Sequence, residues 1–195
     1  MAFTNGLIHP ANTALVVVDL QEKLTPAISG IDGVLANTKK LLHLAKILPL
    51  KTLVTTQYRK GLGDTVSEIA QLFETEPIDK ICFGCLGDDI FERQLNAALP
   101  NGGAVVLCGI EAHICVNQTA LGALAKGYGV HVVADAVGSR TAENRRIGIQ
   151  RMRDAGAVVS STEMAIYELL GDSRRPEFKQ MLPYLKQAAE KPDGQ

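Results

Sequence analysis

This chain has no excess of either charge, no long apolar run, few histidines and few cysteines, and each shortage removes a class of function. Twenty basic residues against 21 acidic ones leave a formal net charge of −1, so nothing electrostatic calls for nucleic acid or an anionic membrane as partner. A small molecule is the expected ligand. No uninterrupted apolar stretch is long enough to span a bilayer, and the opening Met1–Gly6 has no basic segment leading into an apolar one. The sequence thus predicts a soluble, cytoplasmic protein with no membrane contact. Four cysteines could form two disulfides, but a chain of this size does not need them to hold a core, so free thiols are expected. Cys82-Phe83-Gly84-Cys85 has the two-residue spacing of redox and zinc sites. With no second such pair and no histidine cluster to complete a tetrahedral site, it is read as structural. Gly61-x-Gly63, lacking a third glycine, is a weak match to any dinucleotide fingerprint. No cofactor is implied.

What is present is a core. At 195 residues, 46% of them hydrophobic, the chain can fill a single domain spanning 1–195, with a core unit over 12–171 and a charged, Pro-interrupted tail over 172–195. Six short apolar runs read as strands: Thr13–Val18, Thr52–Thr56, Asp79–Phe83, Ala104–Cys108, His131–Ala136 and Ala157–Ser161. Between them lie helical patterns over Val34–Leu48, Thr65–Phe73, Asp88 or Asp89 to Ala98, Cys115–Lys126, and from the Gly138–Thr141 loop to Ala155. A short helix from Thr162 and another over Pro176–Lys186 follow. Strands alternating with helices predict an α/β three-layer sandwich: a six-stranded, mostly parallel sheet with helices on both faces and a Rossmann-like topology. No internal repeat or low-complexity tract interrupts it.

In such a fold, ligands bind at the carboxyl ends of the strands. The run Val105 to Val116 passes from a buried strand into a helix, with Gly109 read as the turn and Cys115 at the junction. There the free N–H groups of the helix start can favour a thiolate and hold charge developing on an attacked oxygen. Cys115 is therefore either a nucleophile or, as most unpaired cysteines are, a small buried hydrophobe. Asp19 closes the first strand, where it can serve as a general base or cap a turn. Lys80, near the end of the third strand, can join a charge set with Asp19 and Cys115 or remain an ordinary solvated lysine. Asp135 ends the fifth strand, where it can be catalytic by the same positional logic as Asp19 or hold nearby loop backbone through hydrogen bonds, the second being its expected use. His43 lies among leucines on the first helix and is read as a core-edge or surface residue. Gln57, Tyr58, Phe83 and Gln21 are placed by position alone at the substrate pocket.

These residues form a pattern. Val17-Val18-Asp19-Leu20-Gln21, Lys80-Ile81-Cys82-Phe83 and Gly109-Ile110-Glu111-Ala112-x-x-Cys115-Val116 resemble, in order and spacing, the three catalytic motifs of isochorismatase-like cysteine hydrolases. The resemblance covers roughly Asn12 to Gly171. Gln21-Glu22-Lys23, Gly61-Leu62-Gly63 and Cys108-Gly109-Ile110-Glu111-Ala112 bring it nearest to the isochorismatase domain-containing proteins.

The resemblance implies a hydrolase with an Asp19, Lys80, Cys115 triad that works through a covalent intermediate on the cysteine. It also implies a non-proline cis peptide at Ile110–Glu111, directing the backbone N–H groups of Glu111 and Cys115 at a substrate oxygen. Nicotinamidases of this superfamily bind a metal through Asp and His residues after the second strand. Gln57-Tyr58-Arg59-Lys60 has no histidine there, so no metal and no nicotinamidase activity are expected. Isochorismatase proper lacks the cysteine, so Cys115 argues for an amide, carbamoyl or related C–N bond over a vinyl ether. Family members are usually oligomers whose neighbours complete the pocket; at least a homodimer is expected. Two rival readings stand beside the hydrolase: a catalytically silent binding or scaffold protein that keeps the triad, and thiol redox chemistry involving Cys82, Cys85 and Cys115.

Overall fold

In the computed structural model, which describes residues 6–186, the chain forms the parallel sheet its pattern implies. The strands are β1 (Thr13–Val18), β2 (Lys51–Gln57), β3 (Ile78–Lys80), β4 (Ala104–Ile110), β5 (Gly129–Gly138) and β6 (Val158–Ser160). They lie in the order β3-β2-β1-β4-β5-β6 and pair in parallel throughout. The chain winds outward from β1 in one direction through β2 and β3, then returns to place β4 on the other side of β1. The crevice beyond the carboxyl ends of β1 and β4 is therefore the topological switch point, where open α/β sheets bind ligands. Asp19 follows β1 directly, and Cys115 follows β4 after a four-residue turn.

The β1 sequence Thr-Ala-Leu-Val-Val-Val is apolar on successive positions because both sheet faces are covered. Leu15 and Val17 face one apolar layer with the helix α1 (Ile31–Ile47). Ala14, Val16 and Val18 face the other, which includes Phe91 and Leu95 of α4 (Asp89–Ala98) and Val116 of α5 (Cys115–Ala125). Two one-turn helices, α2 (Arg59–Leu62) and α3 (Ser67–Ala70), lie between β2 and β3, and α6 (Ala142–Asp154), α7 (Thr162–Leu170) and α8 (Pro176–Lys186) complete the layers. Asp88 caps α4 by accepting from the N–H groups of Ile90 and Phe91, and Thr141 and Ser161 cap α6 and α7 in the same way.

Three local expectations change. The helix expected over Thr65–Phe73 shrinks to one turn, because Thr65 pairs with Gln21 in an antiparallel bridge and Val66 N–H donates to Leu20 O at 2.9 Å. The third strand ends at Lys80 instead of Phe83; Ile81 and Phe83 are exposed and give the sheet nothing to bury. Gly109 lies inside β4 at φ +113°, opposite Val18, and the turn comes only after Ile110. A Cβ at 109 would collide with the Val18 carbonyl, so the glycine permits β1 and β4 to close up. The segment after Lys186, expected to be irregular, lies outside the described residues.

Candidate active site

The residues singled out at the three strand ends meet below the switch point. Asp19 adopts φ +51°, a left-handed conformation that aspartate tolerates better than most residues. Its N–H donates to Thr55 O at 3.2 Å, which ties the turn to β2. Its carboxylate is fully buried and has two partners: Oδ1 accepts from Thr55 Oγ1 at 2.7 Å, and Oδ2 accepts from Lys80 Nζ at 2.7 Å. Lys80 is also fully buried. Its ammonium further donates to Gln57 Oε1 at 2.8 Å and Cys82 O at 3.4 Å. Burial by itself draws a lysine's pKa down, yet the Asp19 carboxylate beside it reverses the effect and lifts Lys80 above its ordinary value.

Cys115 opens α5 with 8% of its surface exposed. Its thiol is pushed up to about 12, first by burial and then by the Asp19 charge, with Lys80 opposing. Burial and the Asp19 charge therefore disfavour a resting thiolate. The Asp19 and Lys80 charges thus both act on the Cys115 thiol, in opposite directions. Cys115 O accepts from Thr119 Oγ1 at 2.7 Å, and Thr119 Oγ1 accepts from Cys85 N–H at 3.0 Å, locking the first turn of α5 to the segment after β3.

The Ile110–Glu111 peptide is cis. Ala112 N–H donates to Gly138 O at 2.7 Å, and the N–H groups of Ile114 and Val116 donate to Glu111 O at 3.0 and 3.2 Å, which fixes the turn. The Glu111 side chain is held outside it by Arg140, with Nε 3.0 Å from Oε1. His113 Nδ1 lies 3.1 Å from Ser139 Oγ. Gly148 of α6 packs directly on this turn, since a Cβ there would sit 2.8 Å from Ala112 O.

Gln57 reaches the Asp19–Lys80 pair directly, as the oxygen partner of Lys80. Gln21 is fully buried, and its carboxamide is spent on backbone: Oε1 accepts from Gln57 N–H at 2.7 Å, and Nε2 donates to Gln57 O at 3.1 Å and Gly63 O at 2.8 Å. Tyr58 and Phe83 stand outside, 49% and 54% exposed, on the segments that leave β2 and β3. Thr55, Thr119 and Glu111's partner Arg140 carry little signal in sequence; Thr55 shows only as a hydroxyl in the buried run Leu53-Val54-Thr55-Thr56. Asp135 accepts from the N–H and hydroxyl of Thr162 at 2.7 and 2.9 Å, a loop anchor away from this chemistry. His43 stacks on Tyr184 at 3.9 Å. All four cysteines are free thiols. Among the described residues no group of three or more His, Cys, Asp or Glu side chains could hold a metal ion, and no helix is long and apolar enough to cross a membrane.

A six-stranded parallel sheet with an acid, a lysine and a cysteine at its switch point defines a class: the isochorismatase-like α/β fold. The chain belongs to the isochorismatase family; residues 13–164 match the model of the isochorismatase domain. It is 41% identical over 186 residues to the secreted isochorismatase effector Isc1 of Phytophthora sojae, covering 93% of this chain and 88% of the relative. Other relatives carry the name isochorismatase domain-containing protein 1 or 2. Among solved structures, the MAR1 ribonuclease of Caenorhabditis elegans superposes with a TM-score of 0.87 at 38% identity, over 96% of this chain and 95% of that one. The Escherichia coli YcaC product, an octameric hydrolase of unknown specificity, does so with a TM-score of 0.86 at 25% identity, over 93% and 92% of the two chains. The fold is thus that of isochorismatase-family hydrolases.

Proposed function

We propose that this protein is a cysteine-dependent hydrolase that cleaves an amide, carbamoyl or related C–N bond of a small molecule. The observation that carries the reading is the fully buried Asp19–Lys80 pair with the Cys115 thiol near enough for both charges to act on its acidity. Asp19 takes the thiol proton as the sulfur attacks the carbonyl carbon, so no free thiolate need accumulate in a site that disfavours it. Lys80 keeps the local charge balanced. The N–H groups of Glu111 and Cys115 donate to the oxygen as it becomes negative; removing one such donor typically costs on the order of 100 to 1,000-fold in rate.

Collapse of the tetrahedral species breaks the C–N bond, and Asp19 returns its proton to the departing nitrogen. Water then adds to the thioester, giving one proton to Asp19 and leaving the acid; that proton goes back to sulfur. The net change is one water consumed and one C–N bond broken. No metal or organic cofactor takes part in this scheme. The substrate enters past Tyr58 and Phe83, and a second copy of the chain walls the mouth, a homo-oligomer in keeping with the octameric YcaC. We place the protein in the cytoplasm, although one relative is named as secreted.

The test is product release from a panel of primary amides, N-carbamoyl compounds and RNA, the last because one structural relative is a ribonuclease. Wild type and Cys115→Ala are compared, with quenched samples weighed for an adduct on the Cys115 peptide. Amide turnover with an acyl adduct, both lost in Cys115→Ala, supports the reading. RNA cleavage that survives the substitution refutes it. A silent binding protein is the second reading, favoured by the burial of the Cys115 thiol, which disfavours its thiolate; it gives ligand binding with no adduct.

A further inference from the structure

Lys80 does not hold its place through Asp19 alone. An ammonium has three protons to donate, and here they point to Asp19 Oδ2, Gln57 Oε1 and Cys82 O. The Gln57 contact is directional: Gln57 Nε2 donates to Ile81 O at 2.6 Å, so its oxygen must be the end that faces Lys80. Behind it, the Gln21 carboxamide binds both backbone polar groups of Gln57, much as another strand would, and reaches on to Gly63. One glutamine fixes the backbone of the other. A neutral acceptor so fixed orients the ammonium without cancelling its charge, leaving the field of Lys80 available at Cys115.

We propose that Gln57 is a positioning residue for Lys80, held in register by Gln21, and that it sets the acidity of Cys115 through Lys80 without contacting substrate. This rests on the triad reading and deepens it. It also separates Gln57 and Gln21 from Tyr58 and Phe83: the glutamines are buried behind the reacting atoms, and the aromatic residues are exposed on the segments that leave β2 and β3.

The experiment is a double-substitution cycle read by the rate of Cys115 carbamidomethylation with iodoacetamide at pH 8, using the full chain and peptide mapping to separate Cys115 from Cys82, Cys85 and Cys108. The variants are Gln57→Met, which keeps bulk and removes the acceptor, Lys80→Met, and the pair together. Below its pKa a thiol's rate follows its thiolate fraction, partly offset by lost nucleophilicity as the pKa falls. A tenfold change in the thiol's acidity therefore changes the rate about threefold. Gln57→Met is expected to slow Cys115 by about threefold or more, and to add less than about twofold once Lys80 is already methionine.

Gln57→Glu, which stays nearly isosteric and brings a negative charge against Lys80, is expected to make the Cys115 thiol about tenfold less acidic and to slow the reaction by about threefold; it serves also if Gln57→Met fails to fold. The proposal is overturned if Gln57→Met slows the Lys80→Met protein by the same factor as wild type, or if Gln57→Met and Gln57→Glu both leave the rate unchanged while Lys80→Met lowers it. In that last case the triad stands. If Lys80→Met has no effect on Cys115, the triad reading falls and the positioning role falls with it.

Discussion

Replacing Lys80 with methionine keeps most of the side chain's volume and deletes its charge in a place without solvent. Asp19 is then left fully buried with one side-chain donor, Thr55 Oγ1, in place of two. Breaking a buried ion pair from one side costs about 3–5 kcal/mol, because the surviving charge has lost its compensation and cannot reach water. In a chain of 195 residues, each kcal/mol lowers the melting temperature by about 2–4 °C, so a fall of roughly 6–20 °C is expected. Substituting Asp19→Asn in the same molecule removes the stranded carboxylate and should recover about half of the loss. The assay is urea unfolding of wild type, both single variants and the double variant, at one protein concentration because an oligomer's stability depends on it. If Lys80→Met stays within about 1 kcal/mol of wild type, or if the double variant is as unstable as the two single losses added, the pair is not the electrostatic unit described here.

Alkaline pH should destabilise the protein, with a definite sign. Cys85 and Cys108 are fully buried and their thiols are pushed up to about 12 by burial, so the folded state keeps protons that the unfolded chain releases near pH 9. Stability is then present below pH 9 and lost as pH rises toward 12, by up to about 1.4 kcal/mol per thiol per pH unit; a urea midpoint unchanged between pH 8 and 10.5 would contradict it. Gly109→Ala should abolish folding or cost about 3 kcal/mol or more, since φ +113° and the Val18 carbonyl both oppose a Cβ; soluble expression with wild-type melting would refute the close approach. Gly148→Ala should slow Cys115 alkylation by severalfold and lower stability by about 1–3 kcal/mol, because the new Cβ presses on the backbone of the turn that sets the nucleophile. Equal alkylation rates would mean the turn does not depend on that contact.

Much of the fold was legible because its signals are local. The run Thr13–Val18 is β-branched or apolar at every position between polar neighbours, and β1 has those same limits. Cys115 sits where the pattern changes from strand to helix, and α5 begins on it. Strand order was less accessible: six apolar runs imply a parallel sheet without saying that β4 returns to the far side of β1. The deeper parts of the site were hidden for a related reason. Thr55 meets Asp19 across 36 residues, and Gln57 meets Lys80 across 23. A hydrogen bond between neighbouring strands leaves no period in either one. Gln57 and Gln21 were visible only as polar residues near strand ends, which suited them equally to touching substrate and to holding the lysine. Gly109 was mistaken for a turn because a glycine that opens a turn and a glycine that lets two strands approach look alike in sequence.

The central claim is that Asp19, Lys80 and Cys115 act as one unit, and it is tested most directly by the pH dependence of Cys115 alkylation in wild type, Asp19→Asn and Lys80→Met. The Asp19 charge raises the thiol's pKa, and Lys80 lowers it. The two substitutions should therefore move the profile in opposite directions, by about one to three pH units each. At pH 8 that means a loss of about three- to fiftyfold for Lys80→Met, once nucleophilicity is allowed for; Asp19→Asn also removes the base, so it is read by the downward shift of its profile and not by its rate at one pH. If neither substitution changes the rate, and Cys115 reacts no differently from the other three thiols, Cys115 is a core residue and the account is wrong.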